Sequence, residues 1–155
     1  SQKVPATLKT GFSKEALQQK LEDEDGKTIS IQQILDQHKG KVLVIDFWAG
    51  WCRDCLNALP KAKELEENNK NIDFVFLSLD RSKEGFEKSL ERFDMKNKEN
   101  YWFASGWKND FNNGLFDAFL TNVSIHLSFE IGHIQGNHFL NQGVHYSFFL
   151  SINLV

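Results

Sequence analysis

Cysteine is scarce in this 155-residue chain, which holds only Cys52 and Cys55. Two thiols are too few for the disulfide framework of a small secreted scaffold. Proline is as rare: Pro5 and Pro60 stand alone, and none follows Pro60. No apolar run approaches the roughly 20 residues of a membrane span. Positive charge has no excess, since 18 Lys and Arg against 21 Asp and Glu leave a formal charge of −3. A nucleic-acid partner therefore has no bulk electrostatic support, and none is expected. Internal repeats and low-complexity runs are missing too. What remains, 41% hydrophobic and 25% charged residues, suits a single folded domain and argues against disorder. The sequence opens at Ser1 without an initiator Met or a charged-then-apolar leader, so the compartment has to be argued from chemistry.

A second scarcity is local. All eighteen Lys and Arg lie at or before Lys108, and the last 47 residues carry none. That stretch has three acids (Asp110, Asp117, Glu130) and four of the five histidines (His126, His133, His138, His145). A shift this sharp marks a boundary, although no linker accompanies it.

The patterning that is present alternates strand with helix. Asp25-Gly26 is a hairpin turn signal, with Lys27 to Ile31 as the return strand. Ser30 and Gln33 have capping-box spacing, which predicts a short helix over about Ile31 to Gln37, closed by Gly40 in the C′ role. Val42 to Trp48 is nearly all apolar and rich in β-branched residues, the mark of a central strand buried on both faces. From Cys52 to Asn69 the period turns helical, with Leu56, Leu59, Ala62 and Leu65 on one face. Ile72 to Leu79 reads as a second buried strand. Ser82 caps a helix carrying Phe86, Leu90 and Phe93. Tyr101 to Phe103 is a short aromatic strand or loop, and Leu115, Phe116 and Phe119 suggest another short helix. Beyond Ile125 the period is two: Ile125, Leu127, Phe129 and Ile131, then Val144 to Leu154, read as half-buried antiparallel strands. The whole is an α/β sandwich.

Chemistry concentrates in Trp51-Cys52-Arg53-Asp54-Cys55, where a buried strand gives way to a helix. Cys52 then lies at the helix N-terminus and Cys55 about one turn inside. Free backbone N–H groups and the helix dipole favour negative charge there, so Cys52 should ionise more readily than a free thiol, whose pKa is about 8.5. A thiolate attacks disulfides, and a second cysteine one turn away can attack the resulting mixed disulfide. The competing readings are half of a zinc site or two inert core thiols. Zinc usually takes four ligands, no further cysteine exists, and the histidine spacings match no common zinc signature.

Val44-Ile45-Asp46-Phe47-Trp48-Ala49-Gly50-Trp51-Cys52-x-x-Cys55, with Pro60 five residues on, resembles the active-site segment of thioredoxin-like proteins. Asp25-Gly26-Lys27-x-Ile29-Ser30 and Gly40-Lys41-Val42 resemble the TlpA/ResA branch, as does a βα unit inserted over about Ile72 to Phe93. The resemblance runs from about Leu21 to Phe119. It implies a thioredoxin fold: a central mixed β-sheet flanked by helices, with an N-terminal β-hairpin and an inserted βα unit. The expected organisation is an arm over 1–20 and one thioredoxin-like domain over 21–155, with a divergent tail from 120. The resemblance also implies Cys52 as nucleophile, Cys55 as resolving thiol, and Trp51 as a flat wall for substrate. It places Asp46 as a buried carboxylate behind the disulfide that accepts the Cys55 proton; a carboxylate inside an apolar strand is costly unless it has partners or work. Pro60 matches the family's structural proline, which removes a helix hydrogen bond.

Two departures stand out. Between the cysteines is Arg53-Asp54 rather than the Gly-Pro of thioredoxin; Arg53 favours a Cys52 thiolate and Asp54 opposes it. The family also faces its disulfide with a cis-proline, and Val123-Ser124-Ile125-His126 resembles that approach with His126 in the proline's slot. A cis bond without proline costs about 2.5–4 kcal/mol, so Ile125–His126 is expected to be trans. Ile125 and His126 join Trp51, Arg53 and Asp54 as the expected substrate groove, with His126 either a proton shuttle or a solvated surface side chain. The family's closing helix has no counterpart, since Gly143 to Val155 lacks a helical period. Strands should end the fold, with Phe148, Phe149 and Leu150 exposed and self-association through the C-terminal strands.

The expected function is thiol–disulfide exchange on protein substrates, as a reductant rather than an oxidant. It would draw on a thiol-reducing electron donor and need no cofactor beyond the Cys52–Cys55 disulfide, and no metal. The TlpA/ResA resemblance implies a bacterial periplasmic or cell-envelope location. The alternative is a catalytically impaired thioredoxin-fold binding module. A thiol peroxidase ranks third, because that chemistry wants a lone activated cysteine rather than a close pair.

Overall fold

The computed structural model describes residues 14–105 and the strand segments 125–129, 134–135 and 148–153. In chain order the elements are α1 (Lys14–Leu17), β1 (Lys20–Glu22), β2 (Thr28–Ser30), α2 (Ile31–Gln37), β3 (Val42–Trp48), α3 (Arg53–Asn68), β4 (Ile72–Ser78), α4 (Lys83–Arg92), β5 (Asn100–Trp102), β6 (Ile125–Phe129), β7 (Ile134–Gln135) and β8 (Phe148–Asn153). The described strands form one mixed sheet in the order β2-β1-β5-β4-β3-β8-β6-β7. β3, β4 and β5 run parallel, and β8 lies antiparallel between β3 and β6.

Local chemistry explains the N-terminal elements. Asp23 Oδ1 accepts the backbone N–H groups of Asp25 and Lys27 at 2.9 and 2.8 Å, closing the β1–β2 turn, and Gly26 supplies its left-handed residue at φ +80°. Ser30 Oγ accepts the Gln33 N–H at 3.1 Å while Gln33 Oε1 accepts the Ser30 N–H at 2.9 Å, so the capping box opens α2 as its spacing predicts. The helix ends on His38, which leaves Gly40, at φ +84°, one place further out than the C′ role. Ser82 Oγ caps α4 through the Gly85 N–H at 3.0 Å.

β3 divides the core by its period of two. Leu43, Ile45 and Phe47 pack with Ala16, Leu17, Ile31, Ile34 and Leu35 from α1 and α2. Val44 and Trp48 pack on the other face with Cys55, Leu59, Ala62, Phe86 and Leu90 from α3 and α4. A strand buried on both faces needs such a continuous apolar run. Ala16 and Leu17 are buried in this core, so packed structure begins inside the arm expected over 1–20, because α1 supplies part of one helical layer.

The tail contributes strands, as its alternation indicates. β8 has neighbours on both sides, so another chain could pair along it only by displacing β6. The edges of the described sheet are β2 and β7. The expected exposure of Phe148, Phe149 and Leu150, and the expected helix around Leu115 to Phe119, lie outside what is described. No helix among the described residues is long and apolar enough to cross a membrane.

At the starts of β3, β4 and β5, His38 sits between two carboxylates. As imidazolium it donates Nδ1–H to Asp73 at 2.6 Å and Nε2–H to Glu99 at 3.0 Å. Glu99 also accepts the Tyr101 hydroxyl at 2.7 Å, and Lys41 reaches Asp73 at 3.4 Å. The Glu99 hydrogen bond, with Asp73 adding to it, holds His38 above its ordinary 6.5 against the pull of burial. Burial would raise Asp73, but its bonds from His38 and Lys41 win and hold it below its ordinary 3.8. The raised histidine stabilises the fold fully below pH 6.5 and stops doing so as pH rises through its folded value. The lowered aspartate stabilises above 3.8 and stops as pH falls through its own value. The contribution of this cluster to stability is therefore greatest between those limits. Urea titrations at pH 6 and pH 8.5 should show a fall that His38→Gln abolishes, with a cost of about 1–2 kcal/mol at pH 6.

Candidate active site

The disulfide site forms where β3 runs out. Ala49, Gly50 and Trp51 turn the chain, the Cys52 N–H donates to the Ala49 carbonyl at 3.1 Å, and α3 starts at Arg53. Cys52 is the N-cap in extended conformation, and its Sγ accepts the Cys55 N–H at 3.3 Å. The sulfur thus occupies the place of the oxygen in an ordinary cap, among the unpaired N–H groups of the first turn. Cys52 and Cys55 are joined as a disulfide, their Cα atoms 5.3 Å apart. Cys52 is half-buried rather than fully exposed, and packs against both core clusters, whereas Cys55 is 8% exposed. An incoming reagent therefore meets Cys52 first.

Asp46 lies in β3 with no exposed surface. Alternation puts it between Val44 and Trp48, on the face covered by α3, the helix that carries Cys55. Trp51 is the exposed large apolar residue of the described chain, at 55%. The Arg81 guanidinium stands 5.4 Å above its ring, a cation–π contact. Arg53 is exposed and Asp54 half-buried in the first turn of α3. Pro60 sits inside the same helix, which continues through it to Asn68. Among the described residues no group of three or more His, Cys, Asp or Glu is arranged to hold a metal ion.

Two expected groove residues are elsewhere. Ile125 and His126 pair with Ile152 and Ser151, which in turn pair with Leu43 and Val44 at the start of β3. The disulfide follows the other end of β3, beyond Trp48, about 13–17 Å along the strand at some 3.3 Å per residue. β8 also separates β6 from β3. The expectation that Ile125 and His126 face the disulfide is therefore corrected: periodicity assigns a strand's faces, but neither its neighbour nor its register. The described backbone holds no cis peptide bond.

Nothing in their local sequence singles out Ser78, Asp80, Arg81 or Ser89, yet these lie around the turn before Cys52. Asp80 Oδ1 accepts the Gly50 N–H at 2.9 Å. A Cβ on Gly50 would collide with Ser89 Oγ. The one available signal was an acid just past the carboxyl end of a buried parallel strand, where α/β sheets place their sites.

A pair of cysteines capping a helix at the carboxyl end of a central parallel strand defines a thioredoxin-type redox site. Residues 40–118, just over half of the chain, match the thioredoxin-like family, and the chain belongs to it. Thioredoxin-1 of Caenorhabditis elegans is 31% identical over 73 residues, covering 47% of this chain and 60% of that protein. The thiol-disulfide oxidoreductase ResA of Bacillus cereus is 27% identical over 90 residues, covering 57% of this chain and 50% of its own length. The chain thus spans half to three-fifths of these relatives. Among solved structures, a Bacteroides vulgatus protein assigned as a thiol-disulfide oxidoreductase superposes with a TM-score of 0.50 at 33% identity, over 71% of this chain and 66% of its own. A thiol-disulfide oxidoreductase of Bacteroides fragilis shares the fold, with a TM-score of 0.53 at 21% identity over 63% and 71% of the two chains.

Proposed function

We propose that the chain catalyses thiol–disulfide exchange on protein substrates and works as a reductant. The observation that carries the exchange chemistry is the N-cap sulfur: Cys52 Sγ accepts a backbone N–H at 3.3 Å in front of the more deeply buried Cys55; the reducing direction rests on the family resemblance. In the reduced state the Cys52 thiolate attacks one sulfur of a substrate disulfide. A Cys52–substrate bond forms, the substrate S–S bond breaks, and one substrate thiolate leaves and takes a proton. Cys55 then gives up its proton, for which Asp46 is the acceptor, and attacks Cys52 Sγ. The Cys52–substrate bond breaks, the second substrate sulfur leaves as a thiolate and takes up the proton that Cys55 gave up, and the Cys52–Cys55 disulfide remains. A dithiol donor returns two electrons and two protons by the reverse exchange. The electrons reside in the two sulfurs, so the cycle needs no cofactor.

Trp51 and Arg53 border the reacting sulfur in sequence and are exposed, which suits them to substrate docking; Asp54 lies beside them. Trp51→Ala should raise the KM for a peptide disulfide about three- to tenfold with a smaller change in kcat, as for loss of an aromatic contact made alike in ground and transition states. Equal kcat and KM values for the two proteins would remove Trp51 from docking. The relation to ResA supports an extracytoplasmic, cell-envelope setting. Insulin reduction with a dithiol donor tests the function: turnover dependent on both cysteines supports it, and its absence in a folded, reducible chain would leave a thioredoxin-fold binding module.

A further inference from the structure

We propose that Asp80 is a positioning residue for Cys52, an assignment that rests on the nucleophile role given to that cysteine. Asp80 lies just beyond β4, at the same end of the sheet as the disulfide; the neighbouring Leu79 N–H donates to the Trp48 carbonyl at 2.8 Å. Its residue surface is 4% exposed. Every polar group of Asp80 is engaged. Oδ2 accepts the Ser78 hydroxyl at 2.8 Å, and the Ser78 oxygen accepts the Asp80 N–H at 3.1 Å. The Asp80 carbonyl accepts the Trp102 indole N–H at 2.7 Å. Oδ1 accepts the Gly50 N–H at 2.9 Å. Three of these bonds anchor the residue to β4 and β5, and the fourth holds the turn that leads into Cys52.

The turn is confined by α4 as well. Gly50 lies so close to Ser89 of α4 that an added Cβ would strike Ser89 Oγ and stand 3.2 Å from Ser89 Cβ and 3.4 Å from Asp80 Oδ1. Gly50 is therefore held between a carboxylate and a helix side chain, with no room for a methyl group. The next bond along the turn, from the Cys52 N–H to the Ala49 carbonyl at 3.1 Å, passes that placement to Cys52. The sulfur gains its stabilisation from the first turn of α3, and this effect falls off within one turn. A turn released from Asp80 lets Sγ swing away from the Cys55 N–H, and the thiolate loses its donor.

Geometry and charge have opposite signs here, which makes the assignment testable. A carboxylate acting through its charge would oppose a nearby thiolate, so its removal would make Cys52 ionise more readily. A carboxylate acting through placement does the reverse. The experiment is the pH profile of iodoacetamide alkylation at Cys52, read by peptide mapping of the reduced chain, with thermal unfolding in parallel. Asp80→Ala should slow alkylation at pH 7 about five- to tenfold, with an unchanged plateau at high pH. Asp80→Asn keeps an oxygen for the Gly50 N–H and should stay within about twofold. Faster alkylation in both variants, or an unmoved profile with a lowered melting temperature in Asp80→Ala, would overturn the proposal. Should Asp80→Ala fail to fold, Gly50→Ala displaces the same turn through its clash with Ser89. It should slow alkylation similarly, and Gly50→Ala with Ser89→Ala should recover most of the loss; an unmoved profile in Gly50→Ala would equally overturn the assignment. The assay uses no protein substrate, so a chain that passes it and fails to reduce insulin would sink the proposed function alone.

Discussion

Replacing Cys52 with serine is expected to bring insulin reduction down to the uncatalysed rate, a loss on the order of 10³-fold or more. A serine hydroxyl is hardly ionised at pH 7 and is a poor nucleophile toward sulfur, so the N-terminus of α3 has no thiolate left to stabilise. Cys55→Ser should also end multiple turnover, but through a different step. Cys52 remains at the N-cap, half-buried and open to reagent, whereas position 55 faces the cluster of Trp48, Leu59 and Phe86. The first attack should therefore survive in Cys55→Ser and vanish in Cys52→Ser. Competitive alkylation of the reduced chain checks the same order. Faster modification of Cys55 than of Cys52 would reverse the assignment.

Asp46→Asn should slow the second step, the release of substrate by Cys55, about 10- to 100-fold at pH 7, the usual range for loss of a placed proton acceptor. Asp46 has no exposed surface, and it lies on the β3 face that α3 covers. The substitution keeps the volume and removes the basic oxygen. The deficit should shrink as pH rises past about 8.5, where a thiol ionises without help. Rapid-quench measurement of mixed-disulfide decay, at pH 7 and pH 9, separates this step from the first attack. Equal decay in the two proteins at pH 7 would deny Asp46 the role.

Much of this arrangement is legible in the chain because it is local. The apolar run from Val42 to Trp48 demands burial on both faces, and β3 has it. Ser30 and Gln33 announce their capping box through a spacing of three, and the Cys52–Cys55 pair declares itself through the strand that precedes it and the helix it enters. What was illegible depends on contacts between distant positions. Asp80 meets Gly50 across 30 residues and His38 meets Glu99 across 61. A lone acid after a strand and a lone histidine after a helix look like ordinary turn residues until the sheet brings their partners in. Ile125 and His126 show the same limit from the other side. Their alternation correctly marks a strand, but the insertion of β8 beside β3 puts them level with Leu43 and Val44, at the far end from the disulfide.

In the proposed cycle Cys52 attacks substrate disulfides and Cys55 resolves the product. The most direct measurement incubates reduced Cys55→Ser chain with a peptide disulfide and identifies the adduct by intact mass and peptide mapping. A stable mixed disulfide at Cys52, absent from Cys52→Ser and discharged rapidly in the chain with both cysteines, is the expected result. An adduct formed equally well by Cys52→Ser, or none in a folded Cys55→Ser chain, would mean that Cys52 is not the attacking thiol.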